Sequence, residues 1–364
     1  MQNETYMHRA LELARRGAGR VSPNPMVGCV IVKNGRVIGE GWHERCGGPH
    51  AERNALQSCA EDPAGASLYV TLEPCCHWGR TPPCTDAILE NRIARVVIGC
   101  LDPNPLVAGK GAERLRQAGA AVETGVLEDE CRRLNEVFFH YIRHKTPFVV
   151  LKYAMTLDGK IAACTGDSRW VTGEAARAHV HQTRNRLAGV MVGVGTVLAD
   201  DPLLTCRMDG GRNPVRIVCD SRARTPLDSR LIRTAREIPT VIAVAAWNDR
   251  AAALKKAGAH IALCGDRDGH TDLAELMRQL GAGGLDGILL EGGASLAFSA
   301  LEAGLVRKVQ AYIAPKLIGG AAAKTPVGGA GFAKMADALP LVNPAVTRLG
   351  DDFLLEGELP CSQD

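Results

Sequence analysis

Aromatic residues make up only 4% of this 364-residue chain, and its formal net charge is just +3 although 43 positions are Lys or Arg. A protein that tracks and edits a nucleic-acid strand needs a basic groove and ring faces for base stacking, so no nucleic-acid partner is expected. No run rich in Lys and Arg, no low-complexity linker and no short-period repeat occurs. No apolar run approaches the ~18 residues of a membrane span, and Met1-Gln2-Asn3-Glu4-Thr5 lacks the basic and apolar stretch of a secretion signal. A cytoplasmic protein with no membrane partner is expected. The 13 cysteines, an odd number scattered along the chain, point to reduced thiols rather than a disulfide framework.

What the chain does carry is a His-x-Glu followed by two spaced cysteines: His50-Ala51-Glu52, then Pro74-Cys75 and Pro83-Cys84. One imidazole and two thiolates suit Zn²⁺, and three protein ligands leave the fourth tetrahedral position open to water, as catalytic sites require. Glu52 follows His50 by two positions, ~200° around a helix, which is poor placement for gripping the same ion. Its expected role is proton transfer, from a metal-activated water to a departing nitrogen. The pattern resembles the signature of the zinc nucleobase and nucleotide deaminases. It departs from the compact Cys-x-x-Cys form because the whole segment 76–83 separates the two cysteines.

Local patterning gathers these residues. Residues 27–33 and 36–41 read as strands around Asn34-Gly35, a dipeptide that favours a type I′ hairpin. Residues 50–60 read as a helix after Gly47-Gly48-Pro49, and 84–90 as another after Pro82-Pro83. Each begins at a ligand, where the partial positive charge of a helix N-terminus favours thiolate over thiol. A short strand at 67–72 would deliver Glu73-Pro74-Cys75 to the same end of a sheet.

The run Val70-Thr71-Leu72-Glu73-Pro74-Cys75-Cys76-His77-Trp78-Gly79-Arg80-Thr81-Pro82-Pro83-Cys84 resembles the deaminase half of the bifunctional riboflavin-biosynthesis deaminase/reductases, where the longer cysteine spacing is characteristic. So does Pro23-Asn24-Pro25-Met26-Val27-Gly28. The resemblance implies an N-terminal cytidine-deaminase-like α/β/α domain that binds one Zn²⁺ through His50, Cys75 and Cys84, with Glu52 as catalytic proton carrier. It also implies that Asn24, His43, His77 and Arg80 surround the pyrimidine and its ribose phosphate. Asn offers donor and acceptor to a heterocycle, and Arg80 a fork to phosphate. Cys76, where the family often has serine, is a competing ligand candidate.

The deaminase pattern ends near residue 144, leaving roughly 220 residues, enough for a second core. The basic, proline-bearing stretch Tyr141-Ile142-Arg143-His144-Lys145-Thr146-Pro147 leads into an apolar strand at 148–151. The domains expected are therefore 1–146 and 147–364, closely packed rather than tethered. Within the second, the Gly193-x-Gly195 pair lacks the third glycine of a dinucleotide fingerprint, position 198 being Leu, so a Rossmann fold is not expected. A better phosphate signal is the apolar strand 287–290, Glu291, the turn Gly292-Gly293, and a helix to Ala303, because small residues let backbone N–H groups approach an anion.

Together with Lys152-Tyr153-Ala154-Met155-Thr156-Leu157-Asp158-Gly159-Lys160, Ser168-Arg169-Trp170-Val171-Thr172 and Ile313-Ala314-Pro315-Lys316-Leu317-Ile318-Gly319-Gly320, this series resembles the reductase half of the same family, related in fold to dihydrofolate reductase. The resemblance implies that Ala154, Trp170, Thr196, Asp200, Ser221 and the turn Gly292, Gly293, Ala294 and Ser295 bind NADPH. By the same resemblance Lys152, Ser168, Thr172, Arg184, Leu204, Arg207 and Glu291 face substrate, with Lys152 and Glu291 catalytic. Two arginines suit a ribose 5-phosphate, and a Lys and a Glu can assist sugar opening and stabilise the imine that hydride attacks. Beside Ser221, Asp220 is an alternative contact for a ribose hydroxyl.

The expected protein is an α/β bifunctional enzyme of riboflavin synthesis, a zinc-dependent aminohydrolase joined to an NADP-dependent oxidoreductase. Its partner is a small phosphoribosylaminopyrimidine, and a homo-oligomer is expected. The alternatives are a structural zinc module fused to a nucleotide-binding domain, which needs a fourth protein ligand such as Cys76, and a nucleic-acid deaminase, which needs a basic groove.

Overall fold

The computed structural model describes residues 2–79, 82–267 and 269–360. The chain divides into two compact units, Met1–Lys145 and Thr146–Asp364.

In the first unit β1 (Gly28–Lys33) and β2 (Arg36–Trp42) form a hairpin whose Asn34 and Gly35 take φ of 49° and 74°, as a type I′ turn requires. β1 pairs antiparallel with β3 (Ser67–Leu72), which continues in parallel to β4 (Arg95–Cys100) and β5 (Ala121–Thr124), in the order β2-β1-β3-β4-β5. Side chains alternate across this sheet. Cys29, Ile31, Leu68, Val70 and Ile98 face α2 (Ala51–Gln57), α3 (Cys84–Glu90) and α4 (Lys110–Gln117). Val30, Val32, Tyr69 and Val97 face α1 (Gln2–Arg15), α5 (Glu128–Leu134) and α6 (Glu136–His144). The result is an α/β/α sandwich.

The first site helix is shorter than expected: α2 ends at Gln57, and His50 is its N-cap rather than its first helical residue. Ser58 ends it, its Oγ lying 2.8 Å from Glu40 O and 2.9 Å from Ala55 O, so the chain leaves to follow β2 instead of turning again. Gly41 sets how closely α2 sits on the sheet, since a Cβ there would stand 2.3 Å from Ala55 N.

The second unit holds β6 (Phe148–Thr156), α7 (Glu174–Arg186), β7 (Gly189–Gly193), α8 (Val194–Asp200), β8 (Val215–Cys219), α9 (Arg230–Arg233), β9 (Thr240–Val244), α10 (Asp249–Ala257) and β10 (His260–Leu263). The small pair β11 (Asp266–Arg267) and β12 (His270–Thr271) follows, then α11 (Leu273–Ala282), β13 (Gly287–Leu290), α12 (Ala294–Glu302), β14 (Val306–Ala314), β15 (Val342–Leu349) and β16 (Asp352–Glu358). Nine strands form one sheet in the order β10-β9-β8-β7-β13-β6-β14-β16-β15, parallel from β10 to β14 and antiparallel beyond. This is not the Rossmann order. β6 runs past the expected 151 because residues 152–156 pair with Gln310–Ala314, giving its polar stretch backbone partners.

The chain steps outward from β7 to β10, then returns to insert β13 between β7 and β6. The crevice outside the carboxyl ends of strands at such a switch point is where open α/β sheets take ligands. Among the described residues no helix is long and apolar enough to cross a membrane.

Candidate active sites

In the first unit His50 Nδ1, Cys75 Sγ and Cys84 Sγ lie within 4.8 Å of one another. Cys75 Sγ is 3.6 Å and Cys84 Sγ 3.3 Å from His50 Nδ1. Zn–S bonds of ~2.3 Å and a Zn–N bond of ~2.05 Å at the tetrahedral angle give an S···N edge of ~3.6 Å, so the three residues fit zinc. No fourth His, Cys, Asp or Glu joins them among the described residues. Cys76 turns aside, with Sγ 3.9 Å from Leu106 O. The structural-zinc alternative thereby loses its candidate ligand.

The helix geometry expected for His50 and Glu52 needs correction. His50, at φ −75° and ψ 164°, lies outside the first turn, so the angular argument does not apply to it. Glu52 is nonetheless 3% exposed, and burial raises its carboxyl above the usual range. The Cys75 thiol is drawn down to about 4, first by the Cys84 thiol and then by His50 and the Cys84 backbone N–H, which donates to it at 3.3 Å from the start of α3. Cys84 moves the opposite way.

A cavity of about 370 Å³ opens onto these ligands, walled by Asn24, Cys46, His50, Cys75 and His77 among others. His43 is not on the wall but behind Asn24. Its Nδ1 donates to Pro49 O at 3.0 Å, because a carbonyl only accepts, and its Nε2 therefore accepts from Asn24 Nδ2 at 3.2 Å. Burial lowers the pKa of His43, which keeps the ring neutral, and the amide of Asn24 is oriented with Oδ1 left as an acceptor. Arg80 lies outside the described residues.

Glu73, in the motif but without an expected role, fastens the ligand loop. Its carboxylate accepts N–H bonds from Asp102 at 3.2 Å, Gly109 at 2.8 Å and Ala112 at 3.0 Å, so it caps the N-terminus of α4 while being covalently next to Pro74-Cys75. Gly111 is packed against the same loop: a Cβ there would stand 2.1 Å from Pro74 O.

In the second unit a cleft of about 500 Å³ lies at the carboxyl ends of β6 and β13. Arg184 grips Glu291 with a two-point fork, Nε to Oε1 at 2.5 Å and Nη2 to Oε2 at 2.7 Å, and gives Nη1 to Thr205 O at 2.9 Å. Three of its five donors are committed, and Arg184 lines the cleft with the remaining two, as Arg207 also lines it. Burial opposes ionisation of Glu291, but Arg184 and Lys152 outweigh it and hold the carboxyl below its usual range. Burial also lowers the pKa of Lys152, against the pull of Glu291. Lys152 Nζ sits 5.6 Å above the Tyr312 ring, a neighbour supplied by the parallel pairing of β6 and β14.

Gly292 and Gly293 take φ of 140° and 89°, which explains the di-glycine turn, and Gly193 N–H meets Gly292 O at 3.4 Å. Two strand–helix turns thus border the cleft side by side. Of the expected cofactor residues, Ala154, Trp170, Thr196, Asp200 and the segment 292–294 line it, as do Ser168, Thr172 and Arg207 of the substrate set. Ser295, Ser221 and Leu204 do not. Ser221 Oγ accepts from Thr271 N–H at 2.9 Å, and Leu204 is 5% exposed at φ 52°, its side chain packed inward. The Asp220 alternative fails, because the residue is fully buried and takes the N–H and hydroxyl of Thr225 at 2.7 Å each. Arg177 and His181, which no motif marks, also line the cleft from α7; their spacing to Arg184 puts all three on one helix face.

The family described as the RibD C-terminal domain matches residues 147–355, and the cytidine and deoxycytidylate deaminase zinc-binding region matches residues 1–100. The riboflavin biosynthesis protein RibD of Actinobacillus pleuropneumoniae is 54% identical over 357 residues, covering 98% of this chain and 95% of that protein. The structure of Acinetobacter baumannii RibD is 37% identical with a TM-score of 0.88, covering 99% of both chains. The Thermotoga maritima diaminohydroxyphosphoribosylaminopyrimidine deaminase/5-amino-6-(5-phosphoribosylamino)uracil reductase is 40% identical with a TM-score of 0.86, again over 99% of both. With a cytidine-deaminase-like domain followed by a dihydrofolate-reductase-like domain, the chain belongs to the RibD family of bifunctional, zinc- and NADPH-dependent deaminase/reductases of riboflavin biosynthesis.

Proposed function

We propose that the first cleft deaminates 2,5-diamino-6-(5-phosphoribosylamino)pyrimidin-4-one and that the second reduces the ribosyl chain of the product, 5-amino-6-(5-phosphoribosylamino)uracil, with the domain boundary at 146. The observation that carries this division is that each unit holds its own constellation: a three-ligand metal set beside a buried carboxyl, and a Lys–Glu–Arg cluster beside a glycine turn.

His50, Cys75 and Cys84 would hold the zinc ion, which would supply Lewis acidity toward the attacking water. Glu52 takes the proton and passes it to the leaving amine, a task that its burial favours. Asn24, oriented by neutral His43, offers Oδ1 to a ring N–H, and His77 and Arg80 hold the ribose phosphate. In the second cleft Ala154, Trp170, Thr196, Asp200 and the segment 292–294 would hold NADPH, which would supply the hydride. Glu291, kept ionised by Arg184, favours the charged form of Lys152, and Lys152 Nζ delivers the proton that accompanies sugar opening and imine formation. Arg207 takes the phosphate.

The reading includes a homo-oligomer, supported by the apolar side chains Leu317, Met335 and Val346, which are 73%, 90% and 67% exposed in the segment after β14 and on the edge strand β15. It also includes a cytoplasmic setting, where thiol ligands stay reduced. The test is to follow ammonia release and NADPH loss separately on the purified full chain. A zinc chelator should stop the first and spare reduction of deaminated substrate; loss of both together would overturn the two-cleft division.

A further inference from the structure

Helix α7 turns Arg177, His181 and Arg184 to the reductase cleft, and His181 differs chemically from its neighbours. Its Nδ1 accepts the backbone N–H of Arg207 at 3.3 Å, so that nitrogen carries a lone pair and the ring proton sits on Nε2. No other partner of the ring is found among the described residues. Burial first, then Arg184 and Arg207, push the imidazolium down to about 4, so the ring is uncharged near neutrality. The charged groups acting on it are Arg184 on its own helix, Arg207 on the loop, Lys152 on β6 and Glu291 after β13.

We infer that His181 binds the substrate of reduction, donating Nε2–H to a neutral oxygen of the phosphoribosylaminopyrimidine, a sugar hydroxyl or a ring carbonyl, rather than to its phosphate. This rests on the reading of the cleft as the reductase site. Permanent cations bind phosphate through charge-assisted bonds about twice as strong as neutral ones, and the cleft wall already offers Arg207 and Lys324 for that purpose, beside Arg177 and Arg184. A single uncharged donor among them adds little for an anion and gives direction for an uncharged acceptor. The tautomer is held as well, because moving the proton to Nδ1 breaks the bond that anchors Arg207.

Three substitutions test this on the full-length chain. His181→Asn keeps an oxygen able to accept the Arg207 N–H but loses the donor at the reach of Nε2; His181→Leu loses both; His181→Gln returns an N–H at about the Nε2 position. The Asn and Leu variants should raise the KM for the deaminated pyrimidine about 10–100-fold with the KM for NADPH unchanged, and the Gln variant should lie within about threefold of the unaltered protein. Ribose 5-phosphate and inorganic phosphate as competitors then locate the oxygen: weaker competition in His181→Asn by ribose 5-phosphate alone assigns the sugar, unchanged competition by both assigns the ring carbonyl, and weaker competition by inorganic phosphate as well would overturn the inference. A His181→Asn variant equal to the unaltered protein, with only Leu impaired, would reduce His181 to a loop anchor and overturn the inference. Parallel loss of NADPH affinity without recovery by Gln would overturn it too. If the unaltered protein oxidises no NADPH, the reading of the cleft fails instead.

Discussion

A methyl group added at Gly111 should disable the metal site although it touches no ligand. The Cβ of Gly111→Ala would stand 2.1 Å from Pro74 O and 3.2 Å from Glu73 Oε1. An ordinary carbon–oxygen contact is about 3.3 Å or more, so roughly 1.2 Å must be found. If the loop gives way, the rigid Pro74–Cys75 peptide carries the displacement to a zinc ligand, whose bond length tolerates only about 0.2 Å. If α4 retreats instead, the N–H bonds from Gly109 and Ala112 to Glu73 are lost. Each buried donor left unpaired costs about 1–3 kcal/mol, so this route is no easier. Disturbing groups that support metal ligands typically costs 10–100-fold in affinity, which is the expected loss here. Competition with a chelator of known affinity measures it, ammonia release should fall in step, and NADPH oxidation on deaminated substrate serves as the internal control. Zinc affinity and ammonia release both within about threefold of the unaltered protein would refute the claim that α4 holds the ligand loop in place.

Glu52→Gln keeps the shape of the side chain and removes its titration, so ammonia release should fall by about 10²–10⁴ while zinc stays at one per chain by elemental analysis. Glu291→Gln should slow NADPH oxidation, leave ammonia release intact and lower the urea midpoint of the second unit, since a nearly buried Arg184 without its counter-charge costs about 3–5 kcal/mol. Burial puts the pKa of Lys152 below its ordinary 10.5, so a step that needs the ammonium is fully active below that pKa and declines as pH rises through it. Tyr312→Leu removes the ring beneath Nζ, worth about 2 kcal/mol when desolvated, and should move this alkaline limb a further ~1.5 pH units toward acid. Tyr312→Phe, which keeps the ring face, should leave the limb in place.

Local chemistry was enough for part of this molecule. Asn34-Gly35 specifies a turn with two positive φ values, Pro82-Pro83 starts the helix that opens at Cys84, and the di-glycine after Glu291 occupies two φ values that other residues avoid. The metal triad was legible for a related reason: each ligand lies at or within a few residues of the end of a short element whose limits are written in neighbouring residues. Pairings across the chain were not legible. Arg184 and Glu291 meet across 107 positions, so an arginine expected to face substrate also pairs with a carboxylate in the cleft. His43 turns out to support Asn24, Glu73 to cap α4, Tyr312 to lie beneath Lys152, and His181 to face the cleft with a single tautomer. In each case residue type and spacing along the chain decided which chemistry was available. Burial, strand order and helix packing decided which donors were already spent and which charge survived, because hydrogen bonds and desolvation depend on distances in space that no local pattern encodes.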